Sequence, residues 1–126
     1  MAEPGWLRRW HDRRRLWATL AVAAALAVAW GSLSPAEALP RSLPWDKASH
    51  FLGYAGIAGL TGLAGVRLSR AFAAAALYGV AIELAQLAVP GRLGGDPADI
   101  LANGLGAAAA VLALSGLRRG FLRARP

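Results

Sequence analysis

The sequence predicts an all-α fold: a polytopic membrane protein built as a four-transmembrane-helix bundle, with N and C termini cytoplasmic. Three observations carry this expectation. The 126 residues are 56% hydrophobic and only 17% charged, yet the formal net charge is +7. A soluble domain with a mixed surface runs at about 45–50% apolar and about 25% charged, so the charges here must be segregated from the apolar stretches. Four such stretches follow one another along the chain, and the basic residues collect at the borders of alternate connections. The length allows one small unit. The absence of cysteine excludes a disulfide scaffold, a zinc–thiolate site and a cysteine nucleophile.

Residues 16–36 and 100–117 carry no charge, 51–66 carry none, and 71–91 carry only Glu83. A helix of about 20 apolar residues, within a range of about 17–25, crosses the hydrocarbon core. The expected spans are therefore about 17–34, 48–66, 71–89 and 98–117. They form a membrane domain over 16–117, between a basic N-terminal tail (1–15) and a basic C-terminal tail (118–126). The first span has a competing reading. A basic run, an apolar stretch and Ala36-Glu37-Ala38 also fit a cleavable signal peptide, which would leave three spans. The apolar stretch is longer than the roughly 7–15 residues of such a signal.

Small residues let helices approach closely in lipid, where no hydrophobic force drives them together. The fourth span places Ala98, Ala102, Gly106 and Ala110 on one stripe. The second carries Gly53, Gly56, Gly59, Gly62 and Gly65, a row that winds around the helix and can serve two neighbours.

Basic residues in short connections mark the cytoplasmic side. Of the 14 basic residues, 11 fall in the N-terminal tail (Arg8, Arg9, Arg13, Arg14, Arg15), the second-to-third connection (Arg67, Arg70) and the C-terminal tail (Arg118, Arg119, Arg123, Arg125). Arg41, Lys47 and Arg92 are left for the other side, so the connections 35–47 and 90–97 should face outward. Trp6, Trp10 and Trp17 fit the inner interface, and Trp30 and Trp45 the outer one. Membrane lipids are the expected partners of the basic tails. No nucleic acid is expected, because the arginines border spans rather than cover one soluble face.

With the cytoplasmic charge set aside, the remaining polar residues converge. Asp46, Lys47 and His50 stand at the outer entrance of the second span. Glu83 and Gln86 share a face of the third, with Glu83 seven residues before Pro90 and so roughly 10 Å below that end. Arg92 is in the outer loop, and Asp99 and Asn103 share a face at the start of the fourth span. Asp46 and Asp96 also suit helix N-caps, with Pro97 at the first helical position and Asp99 in the first turn. Glu83 stands apart, because a carboxylate within a span costs about 2.5–3.5 kcal/mol or more unless paired or neutral. Its expected partners are His50, Arg92 or Lys47.

Asp46-Lys47-x-x-His50-Phe51, Glu83-x-x-Gln86, Pro90-Gly91-Arg92 and Asp99-Ile100-x-x-Asn103-x-x-Gly106, in that order, resemble the VanZ-like membrane proteins. The resemblance covers about residues 44–110, with the first span as the usual leading helix. The segment Leu93-Gly94-Gly95-Asp96-Pro97-Ala98 departs from the pattern in having no Ser, Thr or aromatic residue. The family's founding member is associated with low-level resistance to the glycopeptide teicoplanin. The resemblance therefore implies a multi-pass protein of the bacterial cytoplasmic (inner) membrane and cell envelope.

Three function classes remain open. In an enzyme, His50 and Glu83 would share acid/base work on a lipid-linked or envelope precursor. Lys47 and Arg92 would then hold a phosphate or carboxylate, with Gln86, Asp99, Asn103 and Asp46 orienting them. In a non-catalytic binding or assembly protein, the same pocket would hold an anionic lipid headgroup. A small transporter is the third class, in which a homo-oligomer would build the pore. A divalent metal held by His50, Glu83 and Asp99 is one alternative, but no cofactor and no metal is expected, because the spacing lacks a compact motif such as H-E-x-x-H.

Overall fold

The computed structural model describes residues 5–35, 37 and 46–123, without the side chains of Asp46 and of 121–123. The expectations placed on Arg41, Trp45, the Asp46 carboxylate, the Arg123 side chain, Arg125 and most of the 35–47 connection lie outside the described residues. The described chain is all-helical, in the order α1 (Gly5–His11), α2 (Arg14–Leu33), α3 (Asp46–Leu63), α4 (Leu68–Gln86) and α5 (Pro97–Arg123).

Three of these helices are long and apolar enough to cross a membrane: α2, α4 and α5 through Gly120. The chain is thus a membrane protein by the length and composition of its helices. The 18-residue α3 falls short because its first turns hold Asp46, Lys47, Ser49 and His50. Like α4, it packs against all three of the other long helices, and among its residues 47–63 only Phe51 and Leu52 are exposed. A helix with neighbours on three sides presents little surface to lipid and tolerates polar residues that a peripheral span would not.

The distribution of side chains matches a lipid-facing exterior. Leu26, Leu77, Leu105 and Leu112 point outward, whereas most buried positions are small or polar, among them Ala58, Ala71, Ala75 and Ala107, with Tyr54, Ile57, Ile82 and Leu114 as the large exceptions. Contiguous exposed apolar surface on this scale needs an apolar solvent to cover it. Small interior residues give close contacts. A Cβ on Gly106 would overlap the Phe51 carbonyl, so α5 lies directly against the α3 backbone. Gly53 faces Val28 of α2, whereas Gly59 faces Ala110 of α5. The winding glycine row therefore does serve two neighbours.

Helix boundaries differ from the expected spans for local reasons. α3 ends three residues early, in a Schellman turn: Gly65 has φ 102°, Val66 N–H donates to Thr61 at 3.3 Å and Gly65 N–H to Gly62 at 3.1 Å. α4 ends at Gln86, after which Leu87, Ala88 and Val89 bond three residues back in tight turns. Glu83 consequently lies in the last turn of α4, about 5 Å from its end at 1.5 Å per residue, rather than 10 Å below it. α5 runs on to Arg123, so Arg118 and Arg119 belong to a helix rather than to a separate tail. The N-terminal segment contains the short α1, which the sequence reading did not anticipate. Its Trp10 carbonyl accepts from Trp17 Nε1 at 2.8 Å, and Arg13 lies 4.6 Å over the Trp10 ring.

The two ends of the bundle are chemically distinct. At one, Arg118 donates to the Gly62 carbonyl at 2.7 Å and to His11 at 3.2 Å, tying α5 to the end of α3 and to α1. At the other, the N-termini of α3 and α5 meet the C-termini of α2 and α4, and the acidic and imidazole groups collect there.

Candidate functional site

Helical spacing builds this polar end in two layers. His50, Glu83 and Asp99 come from α3, α4 and α5 and converge, each offering one donor atom within 4.8 Å of the others. Four residues from each, one turn deeper, lie Tyr54, Gly79 and Asn103. Gly79 makes room for that second layer: a Cβ there would meet Asn103 Nδ2 at 3.0 Å and Tyr54 Cε1 at 3.1 Å.

His50 is the hub. Its Nδ1 is 2.8 Å from Asn103 Oδ1 and 3.9 Å from Glu83 Oε1, and its Nε2 is 3.7 Å from Asp99 Oδ2. With Asn103 Oδ1 as acceptor, the imidazole carries a proton on Nδ1. Of the three partners expected for Glu83, His50 is the one that the structure places beside it. Glu83 is 0% exposed, although it stands near the end of its helix. The loop before α5 folds over it: Gly95 N–H donates to the Glu83 carbonyl at 3.1 Å and Asp96 N–H to Glu83 Oε2 at 3.3 Å. The positive φ of Gly95 (70°) and the absence of a Cβ at Gly94, where one would strike the Glu83 carbonyl and the Leu87 nitrogen, permit that close return.

Lys47 is committed to acids. Its ammonium bonds Asp99 Oδ1 and lies 3.2 Å from Asp96 Oδ2. Asp96 is the N-cap of α5, as the sequence suggests: Oδ1 accepts the Ala98 N–H at 2.8 Å, with Pro97 at the first helical position. That N–H, and then the Lys47 ammonium, hold the Asp96 carboxyl below its ordinary value.

Arg92 and Gln86 serve a different contact. Arg92 donates to the carbonyls of Gly31 and, at 3.1 Å, Ser34, and Gln86 Nε2 donates to Ser32 at 2.9 Å. These are terminal carbonyls of α2, which lack intrahelical partners and which a cation at a helix C-terminus satisfies well. Of the eight residues singled out in the sequence, Lys47, His50, Glu83, Asp99 and Asn103 are brought together, and Arg92 and Gln86 clamp α2 alongside. The Asp46 side chain lies outside the described residues. Sequence reasoning missed Tyr54, Gly79 and the bridging role of Asp96; the four-residue spacing from His50 and Glu83 is the signal that would have found the first two.

The charge balance is acidic. Among the described residues, Glu83, Asp96 and Asp99 face one ammonium and one imidazole. Tyr54 Oη, Glu83 Oε1, Gln86 Oε1 and Asn103 Nδ2 are buried and make no hydrogen bond among the described residues. Buried polar atoms are normally satisfied, and each exception asks for a cause. Chemically, the cluster sets an imidazole and a carboxylate side by side for acid–base work on a third group, or for holding a cation. Lys47 and Arg92 already hold acceptors within the protein. No family model, curated protein or solved structure matches the chain.

Proposed function

We propose that this chain is a VanZ-like protein of the bacterial cytoplasmic membrane, with four spans and both termini in the cytoplasm. In this reading the His50–Glu83–Asp99 cluster opens at the outer leaflet, where it acts on a lipid-linked or anionic component of the cell envelope. The same reading connects it to the envelope chemistry on which glycopeptide resistance depends. The single observation that carries the catalytic part is the fully buried Glu83 carboxylate beside the His50 ring, both held by groups from other helices. General acid–base catalysis needs such a pair, fixed within reach of one reacting group. Asp99 and Asn103 hold the ring, and Lys47 lies next to it as the nearest cation for a phosphate or carboxylate.

The test is mass spectrometry of lipids retained after gentle purification of the wild type and of Glu83→Gln. The expected result is one enriched anionic or lipid-linked envelope species. Its unconverted form should accumulate on Glu83→Gln, with folding intact. The same species and the same product on both proteins would favour the non-catalytic binding reading. Bulk membrane lipid alone would contradict both readings.

A further inference from the structure

We propose that His50, Glu83 and Asp99 bind one divalent transition-metal cation, with zinc as the representative species. The inference rests on the reading that this cluster is the protein's working site, and it assigns that site a cofactor, with His50 and Glu83 as its ligands in place of a free acid–base pair. One imidazole and two carboxylates form a donor set suited to zinc or manganese. The three donor atoms come from three helices and already lie within 4.8 Å of one another. At a metal–ligand distance of about 2.0–2.2 Å in tetrahedral geometry, two ligands of one ion are roughly 3.4 Å apart. The widest donor separation must therefore shorten by about 1 Å or somewhat more, which side-chain rotation from three facing helices can supply.

Two observations beyond the clustering point to a cation. Glu83 is 0% exposed, and its Oε1, on the His50 side, makes no hydrogen bond among the described residues. A cation held between Glu83, His50 and Asp99 would satisfy that oxygen. Second, Asn103 Oδ1 lies 2.8 Å from His50 Nδ1, and Lys47 bonds the Asp99 oxygen Oδ1 while Oδ2 faces the ring. Metal ligands are typically oriented by such outer partners. Three protein ligands leave a coordination position open, as catalytic sites require. A phosphoryl or carbonyl oxygen of the substrate would fill it.

The chain is favourable for a metal titration, since it has no cysteine and only two histidines, His11 and His50. The full chain, purified in detergent without a histidine tag and freed of metal, is titrated with zinc by calorimetry. The expected result is one zinc per chain, bound at least tenfold more weakly by His50→Ala, Glu83→Gln and Asp99→Asn, with His11→Ala unchanged. Cobalt provides a second readout that needs no variant: a d–d absorption spectrum appears in the wild type and is displaced by zinc. Absence of binding to the wild type, or binding that none of the three substitutions weakens, would overturn the proposal. If zinc does not bind but Glu83→Gln still accumulates unconverted substrate, the metal fails and the acid–base reading stands. If zinc binds as expected but no envelope species is retained, the metal stands and the functional reading fails.

Discussion

Arg92 illustrates how one side chain can look like a ligand group and serve as a fastener. Its guanidinium spans the carbonyls of Gly31 and Ser34, while Gln86 takes Ser32 between them. The planar fork of arginine suits two acceptors in a fixed relation, which an ammonium cannot reproduce. Removing it leaves terminal carbonyls of α2 without a charged donor in a part-buried setting. Arg92→Ala is therefore expected to lower stability by about 1–3 kcal/mol, read as a lower Tm in detergent, with Arg92→Lys intermediate. A lost function at unchanged Tm would instead return Arg92 to the role of anion holder. The sequence placed Arg92 in the right loop, but the choice between an anion and a helix end depends on where α2 terminates, which spacing does not encode. Glu83 was legible for the opposite reason, since it is the only charge in residues 71–91. Its depth was not, because the tight turns after Gln86 shorten α4.

At the scale of elements, α3 and α5 form the tightest crossing. Gly106 sits on the Phe51 carbonyl with no space for a methyl group, and backbone cannot yield as a flexible side chain can. Gly106→Ala is expected to destabilise by about 1–3 kcal/mol or more, as overpacking does. Gly104, two positions earlier, has nothing within 4 Å of its would-be Cβ. Gly104→Ala should be neutral or stabilising by up to about 1 kcal/mol through helix propensity. Thermal melts of the two variants side by side provide the check; equal loss in both would mean that the α3–α5 contact is not backbone-close. The stripe through Gly106 was visible in the sequence, as was the winding glycine row of α3. The partner of each glycine was not, since a periodic row fixes a face and leaves the neighbour on that face open. α1 was missed because seven residues within a basic tail offer almost no periodicity, and its anchoring through Trp10 and Trp17 is tertiary.

At the scale of the molecule, segregation of charge organises everything else. The end where Arg118 reaches the Gly62 carbonyl holds most of the arginines, and the opposite end holds the acids and His50. Apolar leucines on α2, α4 and α5 face outward between these ends. The sequence made this polarity readable through its basic-residue bias, and the helices connect the groups as that bias implies. The acidic end is expected to face outward across the membrane. Single cysteines in the cysteine-free chain test it directly. Leu93, 91% exposed in the loop beside the site, and the exposed Ser69 at the start of α4 are suitable positions that avoid the strained Gly95. In intact cells, a membrane-impermeant thiol reagent should label Leu93→Cys and should label Ser69→Cys only after lysis. Labelling of Ser69→Cys but not Leu93→Cys in intact cells would reverse the orientation and contradict an outward-facing site.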